Sequence, residues 1–155
     1  MKKVYHRAFF DLLKEKVAET PPAYDWITRL YGEIKKRLLA LLRAGSDLSQ
    51  EIESKLDEKL FDQMIRNDAF EGKDMWGLTE YVFAKILQLG SPARDKATRT
   101  KEKEVLEHLA QPSASFATAV PLFVRNANAC IDWIYEDIEA LKKAATSGKG
   151  YEQAS

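Results

Sequence analysis

Side chains able to carry acid–base or metal chemistry are few, and their spacing gathers only small groups. His6 and His108 are the two histidines. Neither stands in the H-E-x-x-H or Glu-x-x-His arrangement that puts metal ligands on one helical face, so both read as surface or boundary residues. Glu104 and His108 lie four apart, which on a helix lets both touch one ligand and equally makes a routine side-chain contact. Asp132, Glu136, Asp137 and Glu139 crowd carboxylates near the C-terminus. Two neighbouring carboxylates can divide acid and base roles when burial raises one pKa, but a solvated acidic face needs fewer assumptions. Cys130 stands alone, which excludes an intramolecular disulfide and a cysteine-only zinc site. The seven glycines fit neither G-x-G-x-x-G nor the Walker pattern. The reading is therefore of no catalytic residues, no metal ligands and no cofactor.

Charge is balanced in total, with 24 bases and 24 acids, and uneven along the chain. Residues 47–80 carry ten acids against four bases, a net of −6. Opposing them are Lys35, Lys36, Arg37 and Arg43, and a segment at 94–103 with a net of +3 that holds Arg94, Lys96, Arg99, Lys101 and Lys103. Two basic segments, 35–43 and 94–103, can grip a phosphate backbone if Lys36, Arg37, Arg94, Arg99 and Lys101 share one exposed face. The overall basic excess that usually drives nucleic-acid binding is missing, and complementarity within the chain or toward a protein partner is the leading use. A third alternative is a small-ligand protein or enzyme whose buried pocket is lined by Trp26, Trp76 or Trp133 and tyrosines, with Glu104, His108 or the 132–139 carboxylates at its mouth.

The elements that must position these residues are helices. Apolar residues recur at spacings of three and four in five stretches. Tyr5 to Val17 ends near Glu19 before Pro21-Pro22, and Ile27 to Leu42 reaches a stop at Gly45. Leu48 to Ile65 forms a third helix over about 47–67, with Ser46 or Asp47 as its cap, and Met75 to Leu89 a fourth opened by Asp74. The strongest periodicity joins Phe116, Val120, Phe123, Ala127, Cys130, Ile134, Ile138 and Leu141. Pro121 lies inside that last helix, which is either kinked there or begins there. Ser147-Gly148-Lys149-Gly150 ends it. Between Ala93 and Thr100 no apolar pattern survives, which leaves a solvated helix or a mobile connector.

With 155 residues, 45% hydrophobic and 31% charged, the chain is long enough to bury a core without disulfides or metals. The expected fold is all-α: one domain over 1–147 with a flexible tail at 148–155. It is an antiparallel bundle of five to six helices in which the helix from about 115 to 146 is central and those near 24–44 and 47–67 pack along it. No apolar run reaches the ~18 residues of a membrane span, and charges from Arg7 onward interrupt any signal-peptide core. The expected setting is intracellular and cytoplasmic, with no membrane partner.

One stretch resembles a known family. Leu56-Asp57, Leu60, Gln63, Tyr81-Val82 and the turn Leu89-Gly90-Ser91-Pro92-Ala93-Arg94-Asp95 are similar to the T-complex protein 11 family. In that family a helix ends in a proline-x-arginine-aspartate turn. Val120-Pro121-Leu122-Phe123 and Ile131 through Ile138 resemble its following helix, so the likeness covers roughly 24–140. The chain differs in being shorter and in having Gly90-Ser91 where cysteine-alanine is usual. The resemblance implies a helical, non-enzymatic protein connected to signalling, notably the cyclic-AMP and protein-kinase-A pathway. Pro92 would close one helix, Asp95 would cap the next, and Arg94 would reach an acid such as Glu80 or Asp57. The function expected is a protein–protein interaction or regulatory module whose partner is another protein or a second copy of itself.

Overall fold

Seven α-helices and one 3-10 turn make up the computed structural model, which describes the backbone of residues 2–154 and the side chains of residues 8–146. They are α1 (Lys2–Ala18), α2 (Tyr24–Leu39), α3 (Asp47–Lys55), α4 (Glu58–Arg66), α5 (Gly72–Leu89), the turn Pro92–Arg94, α6 (Asp95–Leu109) and α7 (Phe116–Ala154). No strand occurs among the described residues. The all-α class read from periodicity is the observed one.

Local chemistry sets most of the boundaries. Ser46 caps α3, its hydroxyl accepting from the Ser49 N–H at 3.3 Å. The single helix expected over 47–67 is instead two. Asp57 turns its carboxylate onto the N–H of Leu60 at 3.0 Å and starts a new helix, while Leu56 leaves helical geometry to be buried. A short polar side chain that bonds its own backbone competes with helix continuation in this way. The apolar line Ile52, Leu56, Leu60, Met64 hides the break because it keeps helical spacing through it.

Helix α2 stops at Leu39, a turn before the expected Gly45, because Leu41 and Leu42 bond the carbonyls three residues back and tighten the chain. Gly45 then takes φ +79, a left-handed conformation that reverses the chain into the cap of α3. Glu71, not Asp74, occupies the cap of α5, and Asp74 reaches back from the first turn to accept the Glu71 N–H at 2.9 Å. The segment with no apolar pattern is helical: it forms the turn and the first half of α6.

Helix α7 begins at Phe116, ahead of Pro121. Ser115 caps it: its hydroxyl accepts from Thr118 N–H at 3.3 Å and its own N–H donates to Thr118 Oγ1 at 3.0 Å. Pro121 is buried within the second turn. The backbone remains helical through Ser147-Gly148-Lys149-Gly150 to Ala154, so these glycines do not end it. Each costs about 1 kcal/mol against alanine, which an established helix absorbs because propagation adds a hydrogen bond for each residue fixed.

Helices α1, α2, α5 and α6 all pack on α7, and α5 also packs on α6. The central place expected for the last helix is the one it takes. Its stripe Val120, Phe123, Ala127, Cys130, Ile131 and Ile134 is buried, with Leu13 and Val17 of α1, Ile34 and Leu38 of α2, Phe83 and Ile86 of α5 and Val105 of α6 in the same core. Helices α3 and α4, expected along α7, dock chiefly on α2 instead. The break at Leu56-Asp57 shortens them, and Phe61 of α4 stacks on Tyr31 of α2 with ring centroids 4.2 Å apart.

The apolar stripe of α7 outruns its partners. Leu141, the last residue of the predicted core line, is 70% exposed. Ile131→Ala is accordingly expected to lower unfolding free energy by about 2–5 kcal/mol, and Leu141→Ala to change it by no more than about 0.5 kcal/mol. Urea titration followed by circular dichroism separates the two; equal losses would refute this assignment of the core.

Candidate functional site

Arg94 is the residue of the proline-arginine-aspartate turn that the fold puts to use. Helix α5 ends at Leu89, Gly90 follows in extended geometry, and Pro92 opens a 3-10 turn whose fixed φ suits that position. The turn aims Arg94 at α7, where Nη2 donates to Asp137 Oδ1 at 3.0 Å and Nε to Asp137 Oδ2 at 3.2 Å. Glu136 lies 3.8 Å from the same guanidinium, which also stands 5.5 Å over the ring of Trp133. The expected acids Glu80 and Asp57 are not its partners, because α7 rather than α4 or the middle of α5 faces the turn. Asp95 is the first residue of α6 and makes no cap hydrogen bond; Arg94 itself occupies the cap position.

A second clasp ties α2 to the same helix. Arg37 donates to Asn128 Oδ1 at 2.7 Å and to Asp132 Oδ1 at 2.6 Å, and stands 5.3 Å over the Tyr135 ring. The Tyr135 hydroxyl returns a hydrogen bond to the Arg37 carbonyl at 2.8 Å. Two-point contacts of a planar guanidinium fix orientation as well as distance, so α2 and the α5–α6 turn are each registered on α7.

Beside the clasps lies a cleft of about 530 Å³, walled by Phe9, Phe10 and Leu13 of α1, Glu33 and Arg37 of α2, Lys101 of α6 and Val124, Arg125, Asn126, Asn128, Ala129, Asp132, Trp133 and Glu136 of α7. Its aromatic surfaces are Phe9, Phe10 and Trp133, and its charges are Arg37, Lys101 and Arg125 against Glu33, Asp132 and Glu136. Arg125 spreads over Phe10 at 4.4 Å and donates to Asn126 Oδ1 at 3.3 Å. Asn126 is fully buried and donates to the Lys101 carbonyl and to Glu104 Oε2, both at 2.9 Å. It thereby locks α6 to α7 along one side of the cleft.

The remaining sequence candidates scatter. Lys35 is buried and paired with Glu53 at 3.0 Å, with Glu58 at 3.9 Å. Lys36, Arg43, Lys96 and Arg99 are exposed, and Lys103 is exposed and pairs with Glu107 on its own helix. Of the basic residues proposed for a phosphate backbone, the cleft brings together Arg37 and Lys101. His108 bonds Thr118 Oγ1 at 2.8 Å and Glu104 bonds Asn126, so that pair does not converge on one point. The side chain of His6 lies outside the described residues. No group of three or more His, Cys, Asp or Glu that could hold a metal occurs among the described residues. The hollow at the centre of the core, lined by Ile27, Phe61, Met75 and Phe123 among others, measures about 10 Å³, too small for a ligand. Phe10, Arg125, Asn126 and Asn128 were not singled out by sequence; only Asn126 left a signal there, a polar residue between Phe123 and Cys130 on the core face.

Electrostatics follow the contacts. Arg94 holds the Asp137 carboxyl below its ordinary range, and Asp137 in turn raises the guanidinium pKa. Burial pushes the Cys130 thiol up to about 11, aided by Glu104 and opposed by the Thr98 hydrogen bond and Lys101.

The architecture is that of an all-helical bundle domain organised around one long helix, with a mixed aromatic and charged cleft along it. The chain belongs to the T-complex protein 11 family, which matches it over residues 1–132. It is 36% identical over 103 residues to the T-complex protein 11 homolog of Homo sapiens, covering 66% of this chain and 20% of that protein. It is 33% identical over 98 residues to T-complex protein 11-like X-linked protein 1 of Homo sapiens, covering 63% and 19%. It is also similar to the T-complex protein 11 homolog of Rattus norvegicus, 36% identical over 103 residues and covering 65% and 18%. The matched region thus spans about a fifth of the length of these curated relatives. No solved structure matches the chain. No helix among the described residues is long and apolar enough to cross a membrane.

Two outcomes follow from the titrating groups. A depressed carboxyl pKa means that the folded state binds the proton less readily than the unfolded state. The contribution of Asp137 is therefore complete above the unfolded value of about 3.9 and is lost as pH falls through the lower folded value. Asp137→Asn should lower the melting temperature at neutral pH, with the gap to wild type closing below about pH 4; a gap of constant size would remove the clasp. The Cys130 thiol, buried and held neutral, should resist a thiol-specific reagent at pH 8 (about half a unit below the ordinary cysteine pKa) until denaturant is added. Prompt labelling of the native protein would contradict its burial.

Proposed function

We propose that this domain is a non-enzymatic protein–protein interaction module of regulatory type that holds a segment of another protein in the cleft between α1, α2, α6 and α7. The observation that carries the reading is the composition of that cleft. Aromatic walls supply contact area at low entropic cost, and the flanking charges are already oriented by the Arg37–Asp132 and Arg94–Asp137 clasps. Interfaces draw their affinity from such aromatic and arginine anchors within a polar rim. Lys101 and Glu33 have no ion-pair partner among the described residues and stand ready for charges of a partner. Chemistry has less support: the titratable groups of the cleft are engaged with one another or stand singly.

A photo-crosslinking residue at Ala129, in the wall of the cleft, tests this against one at Lys142, exposed on α7 beyond the bundle. Specific crosslinking to a protein from Ala129 alone is expected in native extract. Ala129→Phe should weaken the recovered complex by about tenfold or more while the melting temperature changes little. Identical crosslinks from both positions, or turnover of a small molecule that Ala129→Phe abolishes, would reverse the reading.

A further inference from the structure

A second surface, where α4 and α5 face Tyr31 of α2, shares no lining residue with the cleft. Helices α4 and α5 leave between them a groove of about 270 Å³ whose apolar lining includes Leu56, Leu60, Met64, Leu78 and Tyr81. Leu60 is 53% exposed, although it lies on a helix whose other face is well buried. Gly77 forms part of the lining and stands in the interior of α5. A Cβ added there would meet nothing within 4 Å. A mid-helix glycine weakens its helix, and here no intramolecular close approach explains it. What it does leave is bare backbone on the groove wall, open to close approach from outside.

Acids outnumber bases around this groove. Asp57 and Asp74 stand in its lining against one base, Lys55, and the enclosing segment 47–80 has a net charge of −6. Burial, and then the carboxylates of Asp57 and Glu58, hold the phenol of Tyr31 above its ordinary range at the same place. An acidic rim around an apolar trough with a bare-backbone wall complements a helix that is apolar on one face and basic on the other.

We infer that the α4–α5 groove is a docking site for a basic amphipathic helix of a partner protein, seated on Leu60 and Leu78 with its backbone against Gly77. This surface is separate from the α1–α7 cleft, so either can fail without the other.

Two fluorescein-labelled designed helices of about 18 residues, with the same leucine face and either a lysine or a glutamate polar face, probe it by anisotropy with the full chain. The lysine-faced helix should bind, more weakly as salt rises to about 0.15 M, and the glutamate-faced one should not. Gly77→Gln, which fills the wall, and Leu60→Ser, which removes an exposed contact, should each weaken binding about tenfold. Both should fold, with Gly77→Gln melting no lower than wild type, and Ala129→Phe in the cleft should leave binding unchanged. Equal binding of both helices, no binding, or indifference to the two groove variants would overturn the inference. So would a dimer seen by light scattering and dissolved by Gly77→Gln, which would make the occupant a second copy of this chain.

Discussion

Val120, Phe123, Ala127, Cys130, Ile131 and Ile134 leave water because four other helices, α1, α2, α5 and α6, close around α7. Burying a large aliphatic or aromatic side chain contributes about 1.5–3 kcal/mol, so the stripe on α7 is the chief reason why α1, α2, α5 and α6 come together. Dispersion is not directional, however, and an apolar stripe leaves rotation and sliding of the outer helices loosely set. Direction comes from the polar contacts on either side of it. Arg37 fixes α2, Arg94 fixes the α5–α6 turn, and buried Asn126 fixes α6, each through hydrogen bonds to or from α7.

This division of labour accounts for where the charges went. Total charge is zero, yet two of the bases that reach α7 are matched with carboxylates of that helix, in Arg37–Asp132 and Arg94–Asp137. The acidic middle of the chain is matched only in part, through contacts such as Lys35–Glu53, Lys85–Glu51 and Arg66–Asp62. Half-exposed pairs of this kind contribute little to stability individually. Their effect is to hold long side chains in one orientation, which pre-organises the surface beside them.

Two surfaces of opposite character result. The cleft along α7 holds both signs of charge beside aromatic rings, and its shape depends on contacts among four helices. The α4–α5 groove is an apolar trough with an acidic rim that depends on the break at Leu56-Asp57: a continuous helix over 47–67 would carry Leu60 elsewhere. The turn that resembles the family's proline-arginine-aspartate motif belongs to the first surface as a support, since Arg94 stacks on Trp133, a wall of the cleft.

Helical class, the identity of the central helix and most of its buried face were legible in the sequence, because period-3.6 apolar spacing is a local property of the chain and α7 carries it without interruption from Phe116 to Ile138. The Ser46 cap, the stop before Pro92 and the resemblance to the T-complex protein 11 family were legible for the same reason: each rests on residues adjacent in sequence. The break at Asp57 was not, since the apolar spacing runs through it and only the carboxylate's bond to Leu60 N–H reveals the new start. Nor was the partner of Arg94. Glu80, Asp57 and Asp137 are chemically equivalent to a guanidinium, and the choice among them is made by the packing of α7 against the turn. The cleft belongs to the tertiary structure altogether, because Phe10, Arg37, Lys101 and Asp132 are far apart along the chain, and burial of the α7 stripe is what brings them within reach of one another.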